Sequence, residues 1–178
     1  MMQWPPQYGK QVPLWDAVYA QDVVAVQKLL ASPSGVEQVN IPHGMWQQTS
    51  VHLAVSKGNS KLLKTLLFVV NADVNARMIN GTTPLHLALE RNRKDMIQDL
   101  LLVGANPLLI NVRAASVNLH SSSQLNGFHT GKNAIAMARA RGLADVSSMM
   151  HQYAESRPFQ EALKAQQIQL QQKQRTTP

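Results

Sequence analysis

Two histidines sit in matching contexts, Thr49-Ser50-Val51-His52 and Thr83-Pro84-Leu85-His86. Imidazole changes charge near neutral pH and ligates metals, so these are the first side chains to test for chemistry. Either role needs them to converge with acids or with each other. His43, His120, His129 and His151 have no ligand-like spacing among themselves. No His-Glu-x-x-His, phosphate-loop lysine or nucleophile elbow occurs. Ser121-Ser122-Ser123 reads as a loop rather than a nucleophile site. Cysteine is absent, which excludes a disulfide framework, thiolate metal sites and a cysteine nucleophile. The reading is non-enzymatic: no catalytic residue, metal or cofactor is assigned, and His52 and His86 are expected to tie a turn to the backbone by hydrogen bonds.

The elements that carry these residues follow from composition and pattern. At 178 residues the chain has room for one domain with a tail. Hydrophobic residues make up 44%, enough for a core, and aromatics only 5%, so that core must be aliphatic. The formal charge of +7 favours an acidic protein surface or a nucleic acid as neighbour, but charged residues total 15% and form no dense basic block. The first twenty residues hold one Lys, no Arg and Pro5-Pro6, unlike a secretory or mitochondrial leader. The most apolar stretch, Leu62 to Val70, is short and carries Lys64, so no membrane span is expected. An intracellular location, cytoplasmic or nuclear, is the expectation.

Internal repeats organise the chain. In Gly81-Thr82-Thr83-Pro84-Leu85-His86-Leu87-Ala88, Thr83 suits a helix cap and Pro84 the first helical position. Asn80-Gly81 before it is a tight-turn signal. The same grammar recurs at Val12-Pro13-Leu14-Trp15-Asp16-Ala17, at Thr49 to Ala54 and, degenerately, at Asn133 to Ala138. Twelve residues beyond Ala17, Ala54, Ala88 and Ala138 stand Leu29, Leu66, Leu100 and Met150. Each ends an apolar second helix, expected at Val23–Leu30, Lys61–Phe68, Asp95–Val103 and Ala144–His151. The alanines are 37, 34 and 50 residues apart. The first spacing implies extra residues around Ser32–Glu37, and the last an insertion of about 17 against a 33-residue repeat, within Arg113–His129.

Thr83-Pro84-Leu85-His86-Leu87-Ala88 together with Ala72-Asp73-Val74-Asn75 resembles the ankyrin repeat. The resemblance runs from Val12 to about Tyr153, close in the third repeat and weaker in the outer two. It implies an all-α solenoid of stacked helix–turn–helix units whose projecting turns line a concave binding surface. The domain map is then an N-terminal extension (1–11), the repeat domain (12–155) with a loop insertion near 113–130, and a Gln-rich helical tail (156–178) that docks on the last repeat, binds a partner, or frays. The resemblance also implies that the residues before each Thr-Pro-Leu-His segment project outward: Met45 and Trp46, then Met78, Ile79 and Asn80, then Phe128 and His129. Late first-helix positions would face the same way, with Lys57, Arg91 and Arg141 as a basic column beside Glu90 and near Lys132. Leu67 followed by Asp73-Val74-Asn75 is similar to the pattern modified by the ankyrin asparaginyl hydroxylase, which would make Asn75 its target.

The resulting expectation is a protein-binding module, an adaptor, inhibitor or assembly subunit, whose partner carries an acidic and apolar segment. The alternative is an accessory protein of a nucleic-acid-containing complex that uses the basic surface. One test needs only the domain map. Ser121, Ser122, Ser123, Asn126 and Gly127 give Ala114–Thr130 the composition of a mobile loop. Limited proteolysis should cut there first, termini apart, and earlier cutting inside Thr83–Leu101 would overturn the map.

Overall fold

The repeats build their first helices from recurring devices: an apolar face and a forced stop in all four, and a capping side chain at the start in the last three, Thr49, Thr83 and Asn133, where the first has Val12. The structure, a computed structural model, describes residues 12–69, 72–111 and 132–165. The first helices are α1 (Pro13–Tyr19), α4 (Ser50–Lys57), α6 (Pro84–Glu90) and α8 (Ala134–Ala140). Each stops at a residue in the left-handed region: Gln21, Gly58, Asn92 and Gly142, with φ of 60°, 72°, 53° and 71°. The next amide then reaches back to the repeat alanine. Asp22, Asn59, Arg93 and Leu143 donate to the carbonyls of Ala17, Ala54, Ala88 and Ala138 at 3.1, 3.3, 2.9 and 3.0 Å. This is the Schellman closure, which satisfies carbonyls that a helix end otherwise leaves open. The chain reverses at once into the second helices, α2 (Val23–Leu30), α5 (Ser60–Leu67), α7 (Lys94–Leu102) and α9 (Ala144–Glu155). Asp22 and Asn59 cap two of them through Ala25 N and Leu62 N.

The first helices stack in chain order as one layer and the second helices as another. Between the layers lies an aliphatic core that includes Leu14, Val55, Leu62, Leu89, Ile97 and Val146. Leu66, Leu100 and Met150 are fully buried, as the register requires. Leu29, their first-repeat counterpart, is only half-buried, because no helix pair packs outside it among the described residues. The helix limits differ from the sequence reading by one residue at α5 and α7, and α9 runs on to Glu155.

The extra residues after the first repeat form a helix of their own, α3 (Pro33–Gln38), which lies on α1 and α2. Ser32 caps it through Gly35 N, and Gln38 Oε1 accepts from Leu14 N at 3.1 Å. Gly35 packs directly on the Leu29 carbonyl, so any Cβ there would overlap the backbone. Two short strands, β1 (Ile110–Asn111) and β2 (Lys132–Asn133), pair antiparallel, with Ile110 opposite Asn133. The expected insertion, with Phe128 and His129, lies outside the described residues, as do the extension 1–11 and the tail beyond 165. Residues 157–165 are helical. There Phe159 is buried against Tyr153, ring centroids 5.1 Å apart, and Gln160 Nε2 donates to Ala154 O. The start of the tail therefore docks on the last repeat.

Replacing Leu66 or Leu100 by Ala should cost about 2–5 kcal/mol, because the site cannot fully collapse between neighbouring repeats. Denaturant unfolding measures this, and losses below about 0.5 kcal/mol at both sites would refute the stacking register.

Candidate functional site

His52 and His86 do the same job in successive repeats. Thr49 N donates to His52 Nδ1 at 3.3 Å, and the Thr49 hydroxyl lies 2.9 Å from the same nitrogen. On its other side His52 Nε2 is 3.1 Å from Thr82 O, in the turn of the following repeat. His86 repeats this with Thr83 at 3.2 and 2.8 Å and with Lys132 O at 3.2 Å. A backbone N–H can only donate, so Nδ1 is the acceptor and the proton sits on Nε2. Both rings are fully buried. Burial pushes each pKa down to about 4, against the smaller upward pull of the carbonyl each ring contacts. A neutral imidazole with both nitrogens engaged has no lone pair left for a metal or a substrate proton. Among the described residues no three His, Asp or Glu side chains cluster as a metal site.

The turns before α4 and α6 form the tips, and the His52 bridge holds the second of them. His43 and Gln48 exchange backbone hydrogen bonds of 2.8 and 2.9 Å, closing a hairpin that carries Met45 and Trp46 at its end. The second tip closes through Met78 N to Thr82 O, and Ile79 N donates to Trp46 O at 3.1 Å, joining one tip to the next. Met45, Trp46 and Ile79 are 56%, 52% and 71% exposed. Met78 corrects the sequence reading: it is 8% exposed, because pairing with Thr82 turns its side chain into the core. Asn80 accepts from Thr82 N at 3.1 Å and shapes its own turn.

Lys57, Arg91 and Arg141 each reach back onto the preceding repeat. Lys57 Nζ lies 3.7 Å over the Tyr19 ring, Arg91 donates to Ser56 Oγ at 3.2 Å, and Arg141 donates to the Leu89 and Glu90 carbonyls at 3.2 and 2.9 Å. Arg141 thereby satisfies the open end of α6. Lys57, Glu90, Arg91, Lys132 and Arg141 are all exposed. The ion pairs among the described residues are Lys64–Asp99 at 3.6 Å and His151–Glu155 at 3.2 Å, both on second helices. None involves the column, so its cations have no carboxylate partner there.

Asn75 ties the loops. Its Oδ1 accepts from Asn106 N at 2.7 Å and its Nδ2 donates to Gly104 O at 3.2 Å. Asn40 Oδ1 likewise accepts from the next loop, from Asp73 N at 2.8 Å. Hydroxylation at Asn75 would have to work on an amide engaged at both ends. A groove of about 260 Å³ lies beside it, lined also by Tyr153, Phe159 and Leu163 of the docked tail.

Sequence reasoning missed one cluster. Trp15 stands at the helix position that His52 and His86 occupy, and it stacks on Tyr19 at 5.5 Å and meets His43 at 4.5 Å. The signal was present: Trp15 shares the register of the two histidines, and Tyr19 is four residues on, on the same helical face.

Comparison with known proteins agrees with this geometry. The family described as ankyrin repeats, in three copies, matches residues 14–111, more than half of the chain. The chain is 37% identical to the mouse nuclear factor NF-kappa-B p105 subunit over 83 residues, which is 47% of this chain and 8% of that protein. It is 30% identical over 99 residues to the tyrosine-protein kinase HTK16 of Hydra vulgaris (54% and 12%). It is 33% identical over 102 residues to the mouse ankyrin repeat and SOCS box protein 11 (57% and 28%). The chain thus spans less than a third of the length of each of these relatives.

The buried imidazoles make stability depend on pH. A free histidine titrates near 6.5 and these two near 4, so the unfolded chain takes up protons first as pH falls. Their stabilisation is full above pH 6.5 and is lost between 6.5 and about 4. By pH 4.5 the loss should reach about 2–3 kcal/mol per histidine. Urea unfolding at pH 7.5 and pH 4.5 should show it, and His52→Gln with His86→Gln should flatten the difference. Equal stability at the two pH values would mean that the folded imidazoles charge freely.

Proposed function

The chain belongs to the ankyrin repeat family, and from that premise we propose that it binds another protein through its turn tips and adjoining first-helix ends, with no catalysis of its own. Repeats of this family are protein–protein interaction modules whose stacked units present an extended concave surface. The observation that carries the reading is the pair Trp46 and Ile79. They are exposed on successive tips and joined through the Ile79 N to Trp46 O bond, so one extended ligand can touch both. Large apolar side chains held rigidly in solvent mark interfaces. The cations beside them have no internal carboxylate, which favours a partner with an acidic and apolar segment.

The role is that of an adaptor, inhibitor or assembly subunit in the cytoplasm or nucleus. Lys132 and the column Lys57, Arg91 and Arg141 are rim contacts in this reading. Among the described residues no helix is long and apolar enough to cross a membrane.

Trp46→Ala and Ile79→Ala should keep the fold, checked by circular dichroism and thermal melting, and lose a specific partner in pull-downs from native lysate. Truncating Trp46 at an interface centre should cost about 2 kcal/mol or more, and Lys132→Ala about 1 kcal/mol or less. Retention of every partner by both folded tip variants would refute the tip surface. Binding to arbitrary RNA or DNA that falls steeply with salt would favour a nucleic-acid partner instead.

A further inference from the structure

The internal repeats spend their third helical position on a lock, because His52 and His86 are fully buried and bonded to the next turn. In the first repeat that position is Trp15, which is half-buried and makes ring contacts instead. The consequence is a connected run of π contacts across the first two repeats. The Lys57 ammonium lies 3.7 Å over Tyr19, Tyr19 stacks on Trp15 with planes 15° apart, and Trp15 meets His43. His43 opens the hairpin that ends in Trp46, so the run is continuous with the tip surface. Tyr19 is 55% exposed although both the Trp15 ring and the Lys57 ammonium lie against it.

We propose that Lys57, Tyr19, Trp15 and His43 form the anchoring subsite for a protein segment that carries an aromatic or large aliphatic side chain beside a carboxylate. The proposal rests on the tip surface described above and names the chemistry it selects. Two complementary features define the occupant. The Tyr19 and Trp15 rings supply a rigid apolar platform that loses few rotamers on binding, the property that makes such residues anchors. Lys57 supplies the charge. Its contact is with a ring quadrupole, and none of the ion pairs among the described residues includes it. A ligand carboxylate would give it a counterion that none of the described residues supplies, beside a ring already drawn to the same cation. A phosphate backbone satisfies the cation but leaves the apolar platform and Ile79 uncovered. A purely apolar segment leaves Lys57 unpaired. A segment bearing both groups satisfies both features.

The platform is also polar in direction. Its rings lie at the first-repeat end, whereas Arg91 and Arg141 lie on the third and fourth repeats. A bound segment would therefore place its apolar anchor toward the first repeat and further acidic residues toward the fourth.

The test is selection of phage-displayed random 12-residue peptides on the full chain. Enriched peptides should pair an aromatic or leucine side chain with Asp or Glu. Fluorescent versions should bind Tyr19→Ala and Lys57→Glu at least about tenfold more weakly, because both remove central contacts. Lys61→Glu, the same charge change on the exposed side of α5, should stay within about twofold. Selection on Lys57→Glu should shift the preferred charge from acidic to basic. Peptides lost on Trp46→Ala but bound normally by Tyr19→Ala and Lys57→Glu would overturn this subsite and leave the tip reading standing. No enriched peptide, or equal weakening by Lys61→Glu, would also overturn it, the lysate pull-down then judging the tips separately. A dimer seen by sedimentation and abolished by Tyr19→Ala, without selected peptides, would assign the platform to a second copy of this chain.

Discussion

A pair of helices seven to twelve residues long cannot hide its own apolar face, and that constraint governs the molecule. Leu62, Leu66 and Ile97 are covered only because another pair lies against them. Stability is therefore a sum over neighbours, and each repeat has to offer the next a matching surface at a fixed rise. The Schellman closures at Ala17, Ala54, Ala88 and Ala138 supply that sameness by reversing every pair through the same geometry. Alanine suits the closing position because the two layers meet there and a larger side chain would push them apart.

Polar ties then set the register that apolar contact alone leaves loose. The imidazole bridges join first helices to the next turn, and the Asn40 and Asn75 amides join loop to loop. Each tie lies between repeats rather than within one, so a shifted stack would leave buried donors and acceptors unpaired. The outer repeats break the pattern in ways that fit their positions. The fourth has Ala136 where the histidine would stand, and among the described residues no further repeat turn follows it for an imidazole to hold. Arg139 stands there exposed where Val55 and Leu89 are buried internally. The first has Trp15, whose ring packs on its neighbours without making the bridge.

The same economy shapes the surface. Lys57, Arg91 and Arg141 reach back one repeat, and each still presents charge to solvent. They help to hold the stack while setting the potential of the face beside the tips. The first two tips are each closed by backbone bonds and joined to one another through Ile79 N and Trp46 O. A ligand meeting that surface pays little ordering cost on the protein side.

The sequence by itself determined the helix pairs, their register and the family they resemble. Those depend on local rules: Thr83 and Pro84 at a helix start, a left-handed residue at its end, and leucines that recur at one spacing. The resemblance, and not these rules, marked Trp46, Met78 and Ile79 as projecting; Trp46 and Ile79 are exposed and Met78 is buried. Local rules are silent on this difference, because the direction of Met78 depends on the pairing with Thr82 rather than on its type. They also left the Ser32–Glu37 segment as mere extra length, when it folds as α3 on the first repeat. The cations were legible as a column but not as partners of Tyr19, Ser56 and the α6 carbonyls, and the Trp15–Tyr19–His43 cluster was not legible as a unit. Apart from the Trp15–Tyr19 stack within α1, those contacts join residues 28 to 52 positions apart. Only the stacked tertiary structure decides them, because a side chain finds its long-range partner by geometry and not by neighbours in the chain.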